Sequence, residues 1–192
     1  MAVTLVTGPV RSGKSRYVAQ LAASSGLPVT YLATASRDPN DAEWNERLRR
    51  HMEDRPAHWE TIETASLNHA ELLHIFANAA RDRCIVVDAL GTWISARLSE
   101  NIDAFESDYV AFEARLDREA EQFANAMLSS DANVLVVAEE AGWDVVPVMP
   151  SGRLFRDVLG RMKQRLAAHA DHVYLVTSGF SLDLRSLGTR VE

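Results

Sequence analysis

The chain has 192 residues, 47% of them hydrophobic and 24% charged, a balance that suits one folded domain with its own core and excludes a disordered or low-complexity chain. Twenty Lys and Arg against 27 Asp and Glu leave a net charge of -7, so nothing draws the molecule as a whole to nucleic acid or an anionic membrane, and any anionic ligand has to be held locally. The single cysteine, Cys84, excludes an internal disulfide and suits a reducing compartment. With no basic leader and no membrane-spanning run, the expected setting is the cytoplasm.

The first expected strand, Val3 to Thr7, runs directly into Gly8-Pro9-Val10-Arg11-Ser12-Gly13-Lys14-Ser15. This is a complete G-x-x-x-x-G-K-S placed between a strand and a helix, the context in which that pattern binds nucleoside phosphates. The glycines allow a loop whose N–H groups turn inwards around phosphate oxygens, Lys14 reaches the β- and γ-phosphates, and the Ser15 hydroxyl is a magnesium ligand. A second strand is expected over Val29 to Thr34. A helix follows from Asp41 to Asp54, with Trp44, Leu48 and Met52 on one face and His51 at its edge. Spacing alone leaves His51 open between a packing histidine and a catalytic one. Pro56 stops that helix, and an extended stretch runs to Glu63.

Further along, Cys84 to Asp88 is a buried-strand pattern ending in a carboxylate. Asp88 stands where a partner of the phosphate loop should hold magnesium, although a strand-terminal Asp can also cap the next helix. Phe105, Tyr109, Phe112, Leu116, Ala120, Phe123 and Met127 recur at steps of three and four and predict one long helix whose stripe is core or interface. Val134 to Ala138 is the fourth expected strand. Leu154, Val158, Met162 and Leu166 mark another helix, and His172 to Thr177 the last strand. Short apolar strands alternating with helices predict an α/β fold, a single P-loop domain over residues 1–192 with a mainly parallel sheet flanked by helices. Size and charge favour a transferase acting on a small molecule over a motor or a nucleic-acid enzyme, and no N-K-x-D element marks a guanine-reading switch.

Read together, these elements resemble a known family, the bifunctional adenosylcobinamide kinase / adenosylcobinamide-phosphate guanylyltransferases of cobalamin biosynthesis. The resemblance rests on Thr7-Gly8 with Arg11 to Arg16, Tyr31 to Thr34, Arg47-Leu48 with His51, Arg55-Pro56-Ala57 with Trp59 and Glu63, Asp88-Ala89-Leu90 with Trp93, Glu140 with Gly142, Val146-Pro147, Arg156-Asp157 with Gly160, and Val176 to Gly179. They run in order through almost the whole chain. The resemblance implies a RecA-like sheet and two consecutive reactions. A nucleoside triphosphate, ATP or GTP, phosphorylates the aminopropanol hydroxyl of adenosylcobinamide, and GTP then donates GMP to that phosphate through a GMP-histidine intermediate on His51.

By the same resemblance Thr34, Ala35, Met52, Glu53, Asp54, Arg55, Glu63 and Asp88 are nucleotide contacts, Ser15 and Asp88 hold Mg2+, and the protein is a homotrimer with its active sites near subunit interfaces. That assembly offers the Phe105 to Met127 stripe as a partner surface. The chain departs from the family pattern at Pro9, where a second Gly is usual, at Glu139 and Lys163, where Asn is usual, and at Trp143-Asp144, which replaces a smaller pair. Two other readings stand beside this one: a P-loop kinase of another small alcohol without histidine chemistry, and a regulatory GTP-binding module.

Overall fold

Apolar runs of five to seven residues, too short for helices and rich in Val, Leu and Ile, form the middle of a seven-stranded sheet in the computed structural model, which describes residues 2–53 and 55–191. In chain order the strands are β1 (Val3–Gly8), β2 (Val29–Ala33), β3 (Glu60–Glu63), β4 (Cys84–Asp88), β5 (Asn133–Glu139), β6 (His172–Thr177) and β7 (Phe180–Asp183). Their spatial order is β3-β2-β4-β5-β1-β6-β7, and all pairs are parallel except β6 with β7. The five expected strands lie within a residue of their expected bounds. The extended stretch after Pro56 yields β3, and β7 was not expected. Both are edge strands, with exposed residues at three of four positions, so neither carries the apolar signature of a buried strand.

The helices are α1 (Lys14–Ser24), α2 (Ala42–Glu53), α3 (His69–Ala77), α4 (Leu90–Glu100), α5 (Ile102–Ser107), α6 (Tyr109–Ser129), α7 (Pro150–His169) and α8 (Leu184–Leu187). One face of the sheet buries Leu5, Leu32, Ile85, Val87, Val134 and Val136 against α3, α4, α6 and α7, with Phe76, Trp93 and Phe123 in edge and tilted aromatic contact at its centre. The opposite face presents Val6, Tyr31, Val86 and Val137 mainly to Val18 and Ala22 of α1 and to Trp59.

Two expectations on the helices are corrected. The Phe105 to Met127 stripe is carried by two helices, because the chain breaks at Asp108, whose carboxylate accepts a hydrogen bond from the Ala111 N–H and caps α6. From Phe112 to Met127 the stripe is buried within the chain, so it is core and cannot be a partner surface. Among the described residues no helix is long and apolar enough to cross a membrane.

Candidate active site

The site lies at the carboxyl ends of β1, β2, β4 and β5, where an open parallel sheet leaves backbone groups and loop residues free for a ligand. β1 ends at Gly8, whose Cα is too close to its surroundings for any side chain: a Cβ there would fall 2.1 Å from the Val176 carbonyl oxygen and 2.8 Å from Ser12 Oγ. The loop then turns through Gly13 at φ +102°, a left-handed conformation that favours glycine, and α1 starts at Lys14. Lys14 is 9% exposed, and its ammonium donates to the Pro9 carbonyl at 3.2 Å across the loop. The Gly179 N–H donates to the Ser12 carbonyl at 3.0 Å, which ties the loop to the turn between β6 and β7. Ser12 Oγ is buried and takes no hydrogen bond from the described residues, as expected of a hydroxyl whose partner is a phosphate oxygen.

Asp88 connects this loop to the histidine. One carboxylate oxygen, Oδ1, lies 3.4 Å from Ser15 Oγ. The other, Oδ2, lies 2.8 Å from His51 Nε2 and accepts a short hydrogen bond from the Tyr31 hydroxyl, which is itself 3.1 Å from His51 Nε2. Burial works against the Asp88 charge, but the His51 and Tyr31 hydrogen bonds and the nearby Lys14 outweigh it and hold the carboxyl below its ordinary range. The Tyr31 phenol is pushed far up by burial and by the charge of Asp88, so it stays a neutral donor. Its ring carries the Arg55 guanidinium 4.2 Å from the ring centroid and stacks with Trp59 at 6.2 Å between centroids.

Three cavities adjoin one another here. The largest, about 870 Å³, runs from the phosphate loop (Arg11 to Arg16) past Tyr31 and His51 to Arg55 and Trp59. A second, about 330 Å³, is lined by Ser15, Ala35, Arg47, Arg50, His51, Asp88, Thr92 and Glu139. A third, about 290 Å³, meets the second at Ala35 and Leu48 and is lined also by Arg37, Met52, Arg55 and Glu63. His51, Arg55 and Ala35 each border two of them.

Not every expected contact reaches a cavity. Thr34 is buried and latches β2 to the start of α4, its hydroxyl donating to the Ala89 carbonyl at 2.6 Å and accepting from the Ala89 N–H at 2.7 Å. Glu53 points outward and pairs with Arg49. Val10 is 73% exposed at the loop's tip, and Asp54 lies outside the described residues. Conversely, the structure brings in Tyr31 and Glu139, to which the sequence reading gave no chemical role. A tyrosine inside an otherwise apolar strand was the available signal for Tyr31, since its hydroxyl needs a partner when buried. The Ser15 hydroxyl and the Asp88 carboxylate are hard oxygen donors of the kind Mg2+ takes beside a polyphosphate, so the residues present fit that ion.

Residues 4–184 match the model of the cobinamide kinase / cobinamide phosphate guanyltransferase family. The chain is 38% identical to the bifunctional adenosylcobalamin biosynthesis protein CobU of Salmonella typhimurium, over 94% of this chain and 98% of that one. It is 34% identical to the protein of the same name from Escherichia coli, over the same shares of the two chains. Among solved structures, an ATPase from the type III secretion system of pathogenic bacteria superposes with a TM-score of 0.57 at 7% identity, covering 98% of this chain and 59% of that one, a likeness of fold alone.

Proposed function

Because the chain belongs to the cobinamide kinase / cobinamide phosphate guanyltransferase family, we propose that it forms one transferase domain that works on adenosylcobinamide in two steps at this site, first as a kinase and then as a guanylyltransferase. The observation that carries the second step is the place of His51: a ring nitrogen 2.8 Å from the carboxylate whose other oxygen faces the Ser15 hydroxyl of the phosphate loop. A kinase of a simple alcohol needs no histidine there.

In the first step the β- and γ-phosphates of ATP or GTP lie in the loop Gly8 to Ser15, with Lys14 and the loop N–H groups on their oxygens. The aminopropanol hydroxyl attacks the γ-phosphorus, its proton leaves, the bond to the β-phosphate oxygen breaks, and a nucleoside diphosphate departs. Mg2+ held by Ser15 and Asp88 would neutralise charge on the phosphates. In the second step a ring nitrogen of His51 attacks the α-phosphorus of GTP, and pyrophosphate leaves into the loop, where Lys14 stabilises it. A phosphate oxygen of the phosphorylated corrinoid then attacks the GMP-histidine, giving adenosylcobinamide-GDP and freeing His51. Asp88 and Tyr31 hold the imidazole in place for this exchange. Arg47 and Arg50, in the same cavity, lie where charge on a triphosphate would collect. The third cavity suits the guanosine, with Glu63 as acceptor for the N–H edge of the base and Ala35, Met52 and Arg55 around it.

The same reading places the enzyme in the cytoplasm and makes it a homotrimer. The apolar run from Trp143 to Met149, in which Val145 is 84% and Val148 91% exposed, is a surface available for assembly. Incubation of the purified protein with GTP, Mg2+ and adenosylcobinamide tests the proposal. Two corrinoid products in sequence, the phosphate and then the GDP derivative, are expected. The phosphate alone would reduce the enzyme to a kinase, and no corrinoid product would overturn the reading.

A further inference from the structure

The two steps above leave one half-buried carboxylate at the phosphate end of the site without a task. Glu139 is the last residue of β5, the strand inserted between β1, which carries the phosphate loop, and β4, which ends in Asp88. Its Cα stands opposite that of Gly8, the first residue of the loop. One oxygen, Oε2, accepts the Gly91 N–H at 2.8 Å in the first turn of α4. A Cβ at residue 91 would fall 2.5 Å from that oxygen, so a larger residue there would displace the carboxylate. The carboxylate is thus aimed by the fold, and no hydrogen bond to its other oxygen, Oε1, comes from the described residues.

The neighbouring carboxylates are occupied. Asp88 is engaged by His51, Tyr31 and Ser15. Glu140 accepts the Thr7 hydroxyl at 2.5 Å and pairs with Lys163 at 2.7 Å. Glu63 lies in the third cavity, away from the phosphate loop. Glu139 alone lines the 330 Å³ cavity, with Ser15, Asp88 and His51, while keeping an oxygen uncommitted. The kinase step requires an acceptor for one proton, that of the attacking hydroxyl, and such an acceptor has to stand within hydrogen-bond reach of the substrate oxygen.

We propose that Glu139 is a catalytic residue of the kinase step, the base whose Oε1 takes the proton of the substrate hydroxyl as its oxygen bonds to the γ-phosphorus and the β–γ bridge breaks. The proposal rests on the kinase reading above and goes beyond it: the Asn usual at this position in the family cannot take a proton, so the base at position 139 is a feature of this chain and not of the shared reaction. The proton resides on Glu139 after transfer and passes to water once the products leave. Guanylyl transfer draws no part from it, because the attacking groups there, the His51 nitrogen and a phosphate oxygen, bring no proton that must be removed.

The two steps are measured separately at saturating Mg2+, the first with ATP and adenosylcobinamide, the second with GTP and adenosylcobinamide phosphate. Glu139→Gln keeps the shape and the acceptor for the Gly91 N–H but cannot take a proton. Its kinase kcat should fall by about 10²-fold or more while the KM for ATP and the guanylyl transfer rate stay within about threefold. Glu139→Ala should lose kinase activity similarly and recover part of it with added formate, a small carboxylate able to fill the vacated space. An unchanged kcat in Glu139→Gln would overturn the proposal. So would equal losses in both steps together with a lowered melting temperature, which would mark a structural role, or recovery of Glu139→Gln by excess Mg2+, which would mark a metal ligand. Absence of phosphorylation by the unaltered protein would instead overturn the kinase reading, and is seen before any variant is made.

Discussion

The two faces of the sheet are built for different tasks. On one, four helices close over Leu5, Leu32, Ile85 and Val134 and leave Phe123, Trp93 and Met127 at most 1% exposed. On the other, α1 and the Trp59 segment cover only part of the sheet, and beside them the 870 Å³ cavity opens over the phosphate loop and Tyr31. The first face supplies apolar burial, the dominant favourable term in folding. The second keeps a carboxylate, a phenol, an imidazole and a lysine close together at the edge of a smaller apolar cluster, an arrangement that favours a polar ligand. Substitutions on the two faces should therefore separate cleanly into losses of activity and losses of stability.

The largest effect is expected at the open face. Lys14→Ala removes the cation at the β- and γ-phosphates, and kinase kcat should drop by about 10³-fold or more, the scale of other cations lost from phosphoryl-transfer sites. The variant should melt close to the parent, since the ammonium makes one long hydrogen bond, to the Pro9 carbonyl. Near-normal turnover in a folded Lys14→Ala would break the comparison. On the closed face, Phe123→Ala should cost about 3–5 kcal/mol of unfolding free energy, measured by denaturant melts, because a ring packed on Phe76 and Trp93 leaves a cavity that its neighbours cannot fill. Activity per folded molecule should stay near that of the parent.

Asp88 sharpens the comparison through pH. Its carboxyl titrates below the ordinary value of 3.8 in the folded protein, so the folded state binds the proton less readily than the unfolded one. The stabilisation this gives is fully present above the ordinary value and is lost as pH falls through the lower folded one. Melting temperatures of the parent and Asp88→Asn should differ most near neutrality and converge below about pH 4. A difference that widens in acid would contradict the assigned hydrogen bonds. The same variant should raise the Mg2+ concentration needed for half-maximal kinase activity. The smallest effect is expected on the outer side of α2: Arg49→Ala, which breaks exposed pairs with Glu46 and Glu53, should change stability by less than about 0.5 kcal/mol.

Much of the closed face was legible in the sequence, because buried strands and amphipathic helices write their burial into an apolar pattern. Cys84 to Asp88 and His172 to Thr177 have the bounds read from the sequence. Where burial is partial the pattern fades, so β7 was missed and the break at Asp108 was hidden by a stripe that continues in step across it. The phosphate loop was legible as a motif, since its glycines answer local backbone demands. The relation of Asp88 to His51 was not, since 37 residues separate them and only the adjacency of β2 and β4, with α2 folded back over Tyr31, brings them together. Glu139 was visible only as a departure from a familiar pattern. Its orientation comes from a glycine in another element.

The central claim is that a ring nitrogen of His51 attacks the α-phosphorus of GTP, and labelling tests it most directly. With GTP labelled at the α-phosphate the chain should carry the label, in a phosphoramidate that is labile in acid and more stable in base; with GTP labelled at the γ-phosphate it should carry none, because pyrophosphate leaves. His51→Ala should show no labelling and no guanylyl transfer while keeping at least part of its kinase activity, which needs positioning and charge stabilisation and no protein nucleophile. Label that persists in His51→Ala, or that maps to His58, would contradict the account.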